Sequence, residues 1–239
     1  MVHEALGHGI ASWLLGDPIL SISTVAMQNV TPNRFVAACG TAANLVVGAL
    51  SLLALRRATK FTASACFLWL FGAFNLFNCG YLLYSALSGS GDWAVVIAGL
   101  EPSILWRIGL GIAGAALYVL AIRWTAQALL RFVESGEVAL RELRGLVVTA
   151  YVAGGVLMTA ASVLNPIGPS LILTSGVGAS FGLNAGFMFV TGIVAARAHN
   201  RTGPGRSLPF SPFWLCLALA VAAAFVAILG PGIRFPQPH

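Results

Sequence analysis

The chain opens Met-Val-His-Glu-Ala-Leu-Gly-His, which places His3, Glu4 and His8 in an apolar stretch. Two imidazoles and a carboxylate are costly in lipid and call for a partner. A His-Glu pair followed by a second His commonly binds zinc, with the Glu acting on water at the metal. The common motif has two residues between Glu and the second His, and here there are three: Ala5, Leu6 and Gly7. On a regular α-helix, residues four apart lie within about 40° of one another, and residues five apart about 140°. His3 and His8 can share a metal only if the helix departs locally from α geometry. A π-type turn, closing i to i+5, realigns them, and Gly7 lowers the cost of bending the backbone there.

Two histidines leave a zinc site short of a protein ligand. Only Glu4, Asp17 and Asp92 are acidic before Glu101. Asp92, in Gly89-Ser90-Gly91-Asp92-Trp93, is the best third ligand, and Glu101 beside Pro102 is held in reserve. The same Ser-Gly-Asp stretch also suits a helix N-cap. Asn44, Asn75 and Asn78 are uncharged amides on apolar segments. They are candidates to hold an extended substrate, or to act as interhelical glue. His199 and His239 sit among loop and tail residues and carry no signal.

The elements around these residues are membrane spans. The chain is 58% hydrophobic and only 8% charged, too few charges to cover a water-soluble domain of this size. Residues 35–55, 61–91, 145–196 and 207–233 contain no Asp, Glu, Lys or Arg, and a helical span needs roughly 20 apolar residues. The runs do not alternate polar and apolar, as barrel strands do. We expect an all-α polytopic bundle of about six to seven membrane segments, at 2–15, 35–55, 61–88, 104–133, 145–163, 170–197 and 212–232. Asn165-Pro166-Ile167-Gly168-Pro169 marks the break within the longest run. The first segment is short for a span, and the expected explanation is a reading frame that begins upstream. One membrane domain is expected, with a core at 1–100 and further transmembrane helices at 101–239.

Alternating the spans places ten of the 13 basic residues on one side, with Arg34, Arg107 and Arg234 on the other. By the positive-inside rule the first group is cytoplasmic. The net charge of +6 is therefore mostly loop charge that orients the protein, and no nucleic-acid partner is expected. The four cysteines, Cys39, Cys66, Cys79 and Cys216, lie in apolar runs without a pairing pattern and read as small buried hydrophobes.

The segment Val2-His3-Glu4-Ala5-Leu6-Gly7-His8-Gly9 resembles the zinc helix of the site-2 protease-like intramembrane metallopeptidases, with one residue inserted. Gly40-Thr41-Ala42-Ala43-Asn44 is similar to that family's Gly-x-x-x-Asn segment. Asn75-Leu76-Phe77-Asn78 followed by Gly91-Asp92 is similar to its Asn-rich stretch before the zinc-ligating Asp. The family's Pro-containing Leu-Asp-Gly form is absent, and residues 104–239 match no motif of the family. The resemblance implies Zn²⁺ held by His3, His8 and Asp92, with Glu4 as general base. The implied activity is hydrolysis of peptide bonds in or near the transmembrane segments of membrane proteins, in a bacterial-type cytoplasmic membrane. Aligning Gly7-His8 without a gap would instead put Glu4 at the first His, which describes an inactive scaffold of the same fold. A small-solute transporter is a third reading, with Asn165-Pro166 and the Gly-rich residues 176–186 as its binding region. The absence of charge from 145–163 and 170–196 argues against ion coupling there.

Overall fold

A computed structural model describes residues 1–166, 168, 172–198 and 211–236. His199, Arg201, Arg206 and His239, with Ile167 and Pro169 of the expected break, lie outside the described residues. The chain begins with a π-helical segment, Val2–Gly9, that continues as α1 (Ile10–Leu14). A hairpin of β1 (Ile19–Ile22) and β2 (Met27–Asn29) follows. The helices are then α2 (Arg34–Leu55), α3 (Ala63–Phe77), α4 (Gly80–Ser88), α5 (Asp92–Ile97), α6 (Ser103–Glu134) and α7 (Leu140–Val163). A second π-helical segment (Ile172–Leu183) leads into α8 (Gly186–Arg197). A third (Phe225–Leu229) follows α9 (Pro212–Ala224), and β3 (Ile233–Arg234) closes the described chain.

Six helical units are long and apolar enough to cross a membrane: α2, α3 with α4, α6, α7, the second π segment with α8, and α9 with the third π segment. The protein is an all-α, multi-pass bundle of the kind its composition demands. The helix over Val2–Leu14 is not among the six, since it spans only about 20 Å against about 30 Å of hydrocarbon. The 32-residue α6 is one unbroken helix, so consecutive spans alternate in direction. Contacts fix the ends: Arg131 near the end of α6 donates to the Leu55 and Arg56 carbonyls at the end of α2. Arg34 at the start of α2 donates to Ala98, beyond the end of α4.

Local sequence explains the boundaries. The Asn33 side chain accepts from the Phe35 and Val36 amides and caps α2, and Thr62 caps α3 through the Ala65 amide. Pro212 occupies the first turn of α9. Gly89 ends α4 in the left-handed region, and Gly91, also at positive φ, turns the chain into α5. The core lies between α2, α3, α6, α7 and α8. Phe187 sits edge-on to Trp69, Phe74 and Phe77, and the Trp69 indole donates to the Thr125 carbonyl at 3.0 Å. No residue of α9 is buried, so its apolar faces meet lipid; Cys216 on this helix is exposed, against the expectation of burial, while Cys79 is buried.

The small antiparallel sheet, in order β2-β1-β3, was not expected from the sequence. β1 pairs with both β2 and β3, and Asp17 braces the hairpin by accepting from Asn29 at 2.6 Å and from the Thr31 amide. The sheet lies beside the N-terminal π segment.

Candidate metal centre

The π segment sets the histidines. Its wider turn brings residues five apart to one side, and the His3 and His8 rings lie edge to face with centroids 4.6 Å apart. Gly7 lies within the π segment that the spacing demands. Gly7 keeps an ordinary negative φ and is needed for close approach: a Cβ there would fall 2.5 Å from the Gly40 Cα and 2.7 Å from the Cys39 carbonyl. Gly40 in turn floors the cluster, because a Cβ on it would lie 2.6 Å from the His8 ring and 2.7 Å from the His3 ring. The Gly-x-x-x-Asn pattern on α2 is thus a seat for two imidazoles, with Asn44 one turn further along.

Asp92 arrives from the opposite wall. His3 Nε2 is 2.8 Å and His8 Nε2 3.4 Å from the same Asp92 oxygen, Oδ2. Asp92 is the first residue of α5 and not its cap; Gly91 precedes it, and the carboxylate turns to the histidines. Burial alone would push the Asp92 carboxyl up. Hydrogen bonds and charge from His3 and His8 outweigh that and hold it well below the usual carboxylate range. Its helix is tied down on both sides. The Trp93 indole donates to Thr41 Oγ1 at 3.0 Å and Arg34 grips Ala98, while the end of the preceding helix α4 is held by Arg107, which donates to the Ala86 carbonyl at 2.8 and 3.0 Å.

The other ring nitrogens are also engaged. His8 Nδ1 is 2.7 Å from the Val36 carbonyl, which can only accept, so Nδ1 carries the proton. His3 Nδ1 is 3.1 Å from Asn78 Oδ1, and Asn44 Nδ2 lies 3.3 Å from the same nitrogen. The Val36 carbonyl fixes a proton on His8 Nδ1, while His3 Nδ1 stands between the Asn78 oxygen, which can accept from it, and the Asn44 amide, which can donate to it. Both Nε2 atoms face the Asp92 carboxylate, which Nε2–H donors or a shared cation would satisfy. This is the outer-shell pattern of zinc histidines, each orienting its ring through the second nitrogen. A tetrahedral ion with bonds of about 2.1 Å holds its ligand atoms roughly 3.4 Å apart. The observed 2.8 and 3.4 Å need an opening of only about 0.6 Å on one side. Two of the three donor separations are thus near those of a zinc site, and the nitrogen and oxygen donor types suit that ion.

Glu4 is 8% exposed, and its carboxylate lies within 4.8 Å of a nitrogen on each histidine, close enough to address a water at the cluster. Asp92, in direct contact with both imidazoles, is better placed as the third ligand. Glu101, the reserve candidate, accepts from the Ser103 amide at 3.0 Å and caps the next helix instead. Asn78 and Asn44 serve His3, and Asn75 donates to Phe71 of its own helix at 2.7 Å. All three still line a cavity of about 410 Å³ that runs from His3 and Glu4 between the helices to Phe74, Met158 and Phe225. A second cavity, of about 270 Å³, opens on His3, Glu4, His8 and Asp92.

Several lining residues went unremarked in the sequence. Tyr81 borders both cavities, stands 5.4 Å from the His3 ring and is hydrogen-bonded to Ser175. Its signal was available, because Asn78, Tyr81 and Ser85 follow one helical face towards Asp92. Thr174, Ser175 and the hairpin residues Val25–Met27 complete the walls. They come from distant parts of the chain and left no local mark. The chain matches no family model, no curated protein and no solved structure.

Proposed function

We propose that the chain is an intramembrane zinc endopeptidase, akin to the site-2 protease-like metallopeptidases that its motifs resemble. The observation that carries this reading is the convergence of both Nε2 atoms on Asp92 while the Nδ1 atoms are held by Val36 and Asn78. His3, His8 and Asp92 would hold Zn²⁺, leaving a fourth position open. When bound, zinc polarises the peptide carbonyl and acidifies water. Glu4 takes the proton of the attacking water and returns it to the nitrogen of the leaving amine, as the carbonyl carbon gains oxygen and loses nitrogen.

The surroundings suit an extended polypeptide. A peptide carbonyl is hidden in a hydrogen-bonded helix, so a membrane segment must be partly unwound to react. Among the described residues β2 has one neighbour, β1, and its approach residues Val25–Met27 border the cluster cavity. An exposed strand edge can pair with an unwound segment. The larger cavity then offers Phe71, Phe74, Leu157 and Met158 to apolar side chains.

The basic residues at the far end of α2 and α6 place that end in the cytoplasm by the positive-inside rule, and the host membrane of this reading is a bacterial-type cytoplasmic membrane. The metal centre, at the start of α2, then lies nearer the opposite face. Co-expression with a panel of single-span membrane proteins tests the activity. Wild-type protein should shorten at least one of them within or beside its span, and Glu4→Gln should not. Equal cleavage by Glu4→Gln, or none by zinc-loaded wild type across the panel, overturns the reading.

A further inference from the structure

At the end of the bundle opposite the metal centre, a cavity of about 240 Å³ lies between α2 and α6, lined by Leu52, Leu55, Arg56, Trp124, Gln127 and Arg131, with Ala128 at its wall. We propose that it binds the headgroup of an anionic phospholipid. Three observations support this.

Arg131 is already fixed. Its guanidinium donates to the Leu55 and Arg56 carbonyls at the end of α2, the first of which also accepts from the Ala58 amide at 2.9 Å, and it lies 4.4 Å over the Phe132 ring. Those two bonds use two of five N–H donors, so three remain for a ligand. A phosphate arriving there meets a cation whose ordering cost is already met by the fold.

The cavity has positive charge without a counter-ion. Arg56 lines it, and Arg57 and Lys60 follow in the same short connection. Among the described residues no carboxylate is within ion-pairing distance of any of these or of Arg131, and residues 199–210 contain no Asp or Glu. Basic side chains at a membrane surface each add about 1 kcal/mol, or roughly fivefold, to the binding of anionic lipid.

The lining is graded as a lipid is. Arg56 and Arg131 stand at the end of the bundle, while buried Leu52 on α2 and half-buried Trp124, about 10 Å before Arg131 along α6, lie on the hydrocarbon side. A soluble phosphate would use the arginines and leave the apolar wall and the indole without purpose.

The test is native mass spectrometry of the full chain released from detergent with equimolar phosphatidylglycerol and phosphatidylcholine of matched acyl chains. Wild type should retain one phosphatidylglycerol with a preference of about 25-fold, roughly fivefold for each of the two lining arginines. Arg56→Gln, which leaves the Arg131 cap intact, should lower that preference about fivefold, and Arg234→Gln, at the other end of the bundle, should not change it. The melting temperature of each variant, measured alongside, shows that it is folded. Equal retention of the two lipids, or an undiminished preference in folded Arg56→Gln, overturns the proposal. So does full displacement of phosphatidylglycerol by millimolar inorganic phosphate, which would make this a site for the free anion.

Discussion

Replacing Gly40 with alanine should damage the metal centre far more than the fold. The added Cβ would sit 2.6 Å from His8 and 2.7 Å from His3. Ordinary carbon contacts are about 3.5 Å, so each ring must retreat by roughly 0.9 Å. Metal–ligand distances tolerate about 0.2 Å. The rings cannot keep both their Nδ1 partners and a common Nε2 focus. We expect zinc affinity to fall about 100-fold, the upper range seen when outer-shell support is lost. Overpacking should cost stability about 1–3 kcal/mol as well. The control is Gly48→Ala, two turns along the same helix, where the Cβ would lie 2.8 Å from Leu76 Cγ and 2.9 Å from its backbone nitrogen. It should be destabilised about as much, roughly 1–3 kcal/mol, with unchanged zinc affinity. Competition with a chelating dye in detergent reads affinity, and thermal unfolding reads stability. Wild-type zinc affinity in Gly40→Ala would refute the reasoning, and an equal loss in Gly48→Ala would show the effect to be global.

Asn78→Ala removes the acceptor that orients His3 and should weaken zinc binding about 10- to 100-fold, read by the same competition; unchanged affinity would remove Asn78 from the site. Zinc should be released on acidification, because protons compete with the metal for the imidazoles, which bind it only when deprotonated. Dialysis at stepped pH with metal analysis checks it, and full retention at pH 4 would indicate other ligands. A cysteine introduced at Thr59→Cys should resist a membrane-impermeant reagent in intact cells. Efficient labelling from outside would reverse the orientation and put the metal centre nearer the cytoplasm.

The spans were legible because lipid imposes a length and an apolarity that composition cannot hide. The π geometry of Val2–Gly9 was legible too, since two histidines five residues apart cannot meet on an α-helix. What the sequence concealed depends on close or distant contacts. Gly7 reads locally as a flexible residue, which does not show its approach to Gly40 on another helix. The sheet joins Ser21 and Ile22 to Ile233 and Arg234, more than 200 residues away, and short strands without alternation leave no periodic signal. Asn78 looked like a substrate contact or glue. Only the break between α3 and α4 explains why its amide reaches His3. For Asp92, Ser-Gly-Asp left capping open beside ligation, and that its carboxylate faces the histidines depends on where α5 packs, through Trp93 and Arg34.

In the proposed site His3, His8 and Asp92 hold one zinc ion and Glu4 stays outside the ligand set. Metal analysis of protein purified in mild detergent and washed with a weak chelator tests it most directly. We expect about one zinc per chain in wild type and in Glu4→Gln, and loss of it in His8→Ala and Asp92→Ala. Metal-free wild type, or zinc retained without His8 and Asp92, would contradict the account.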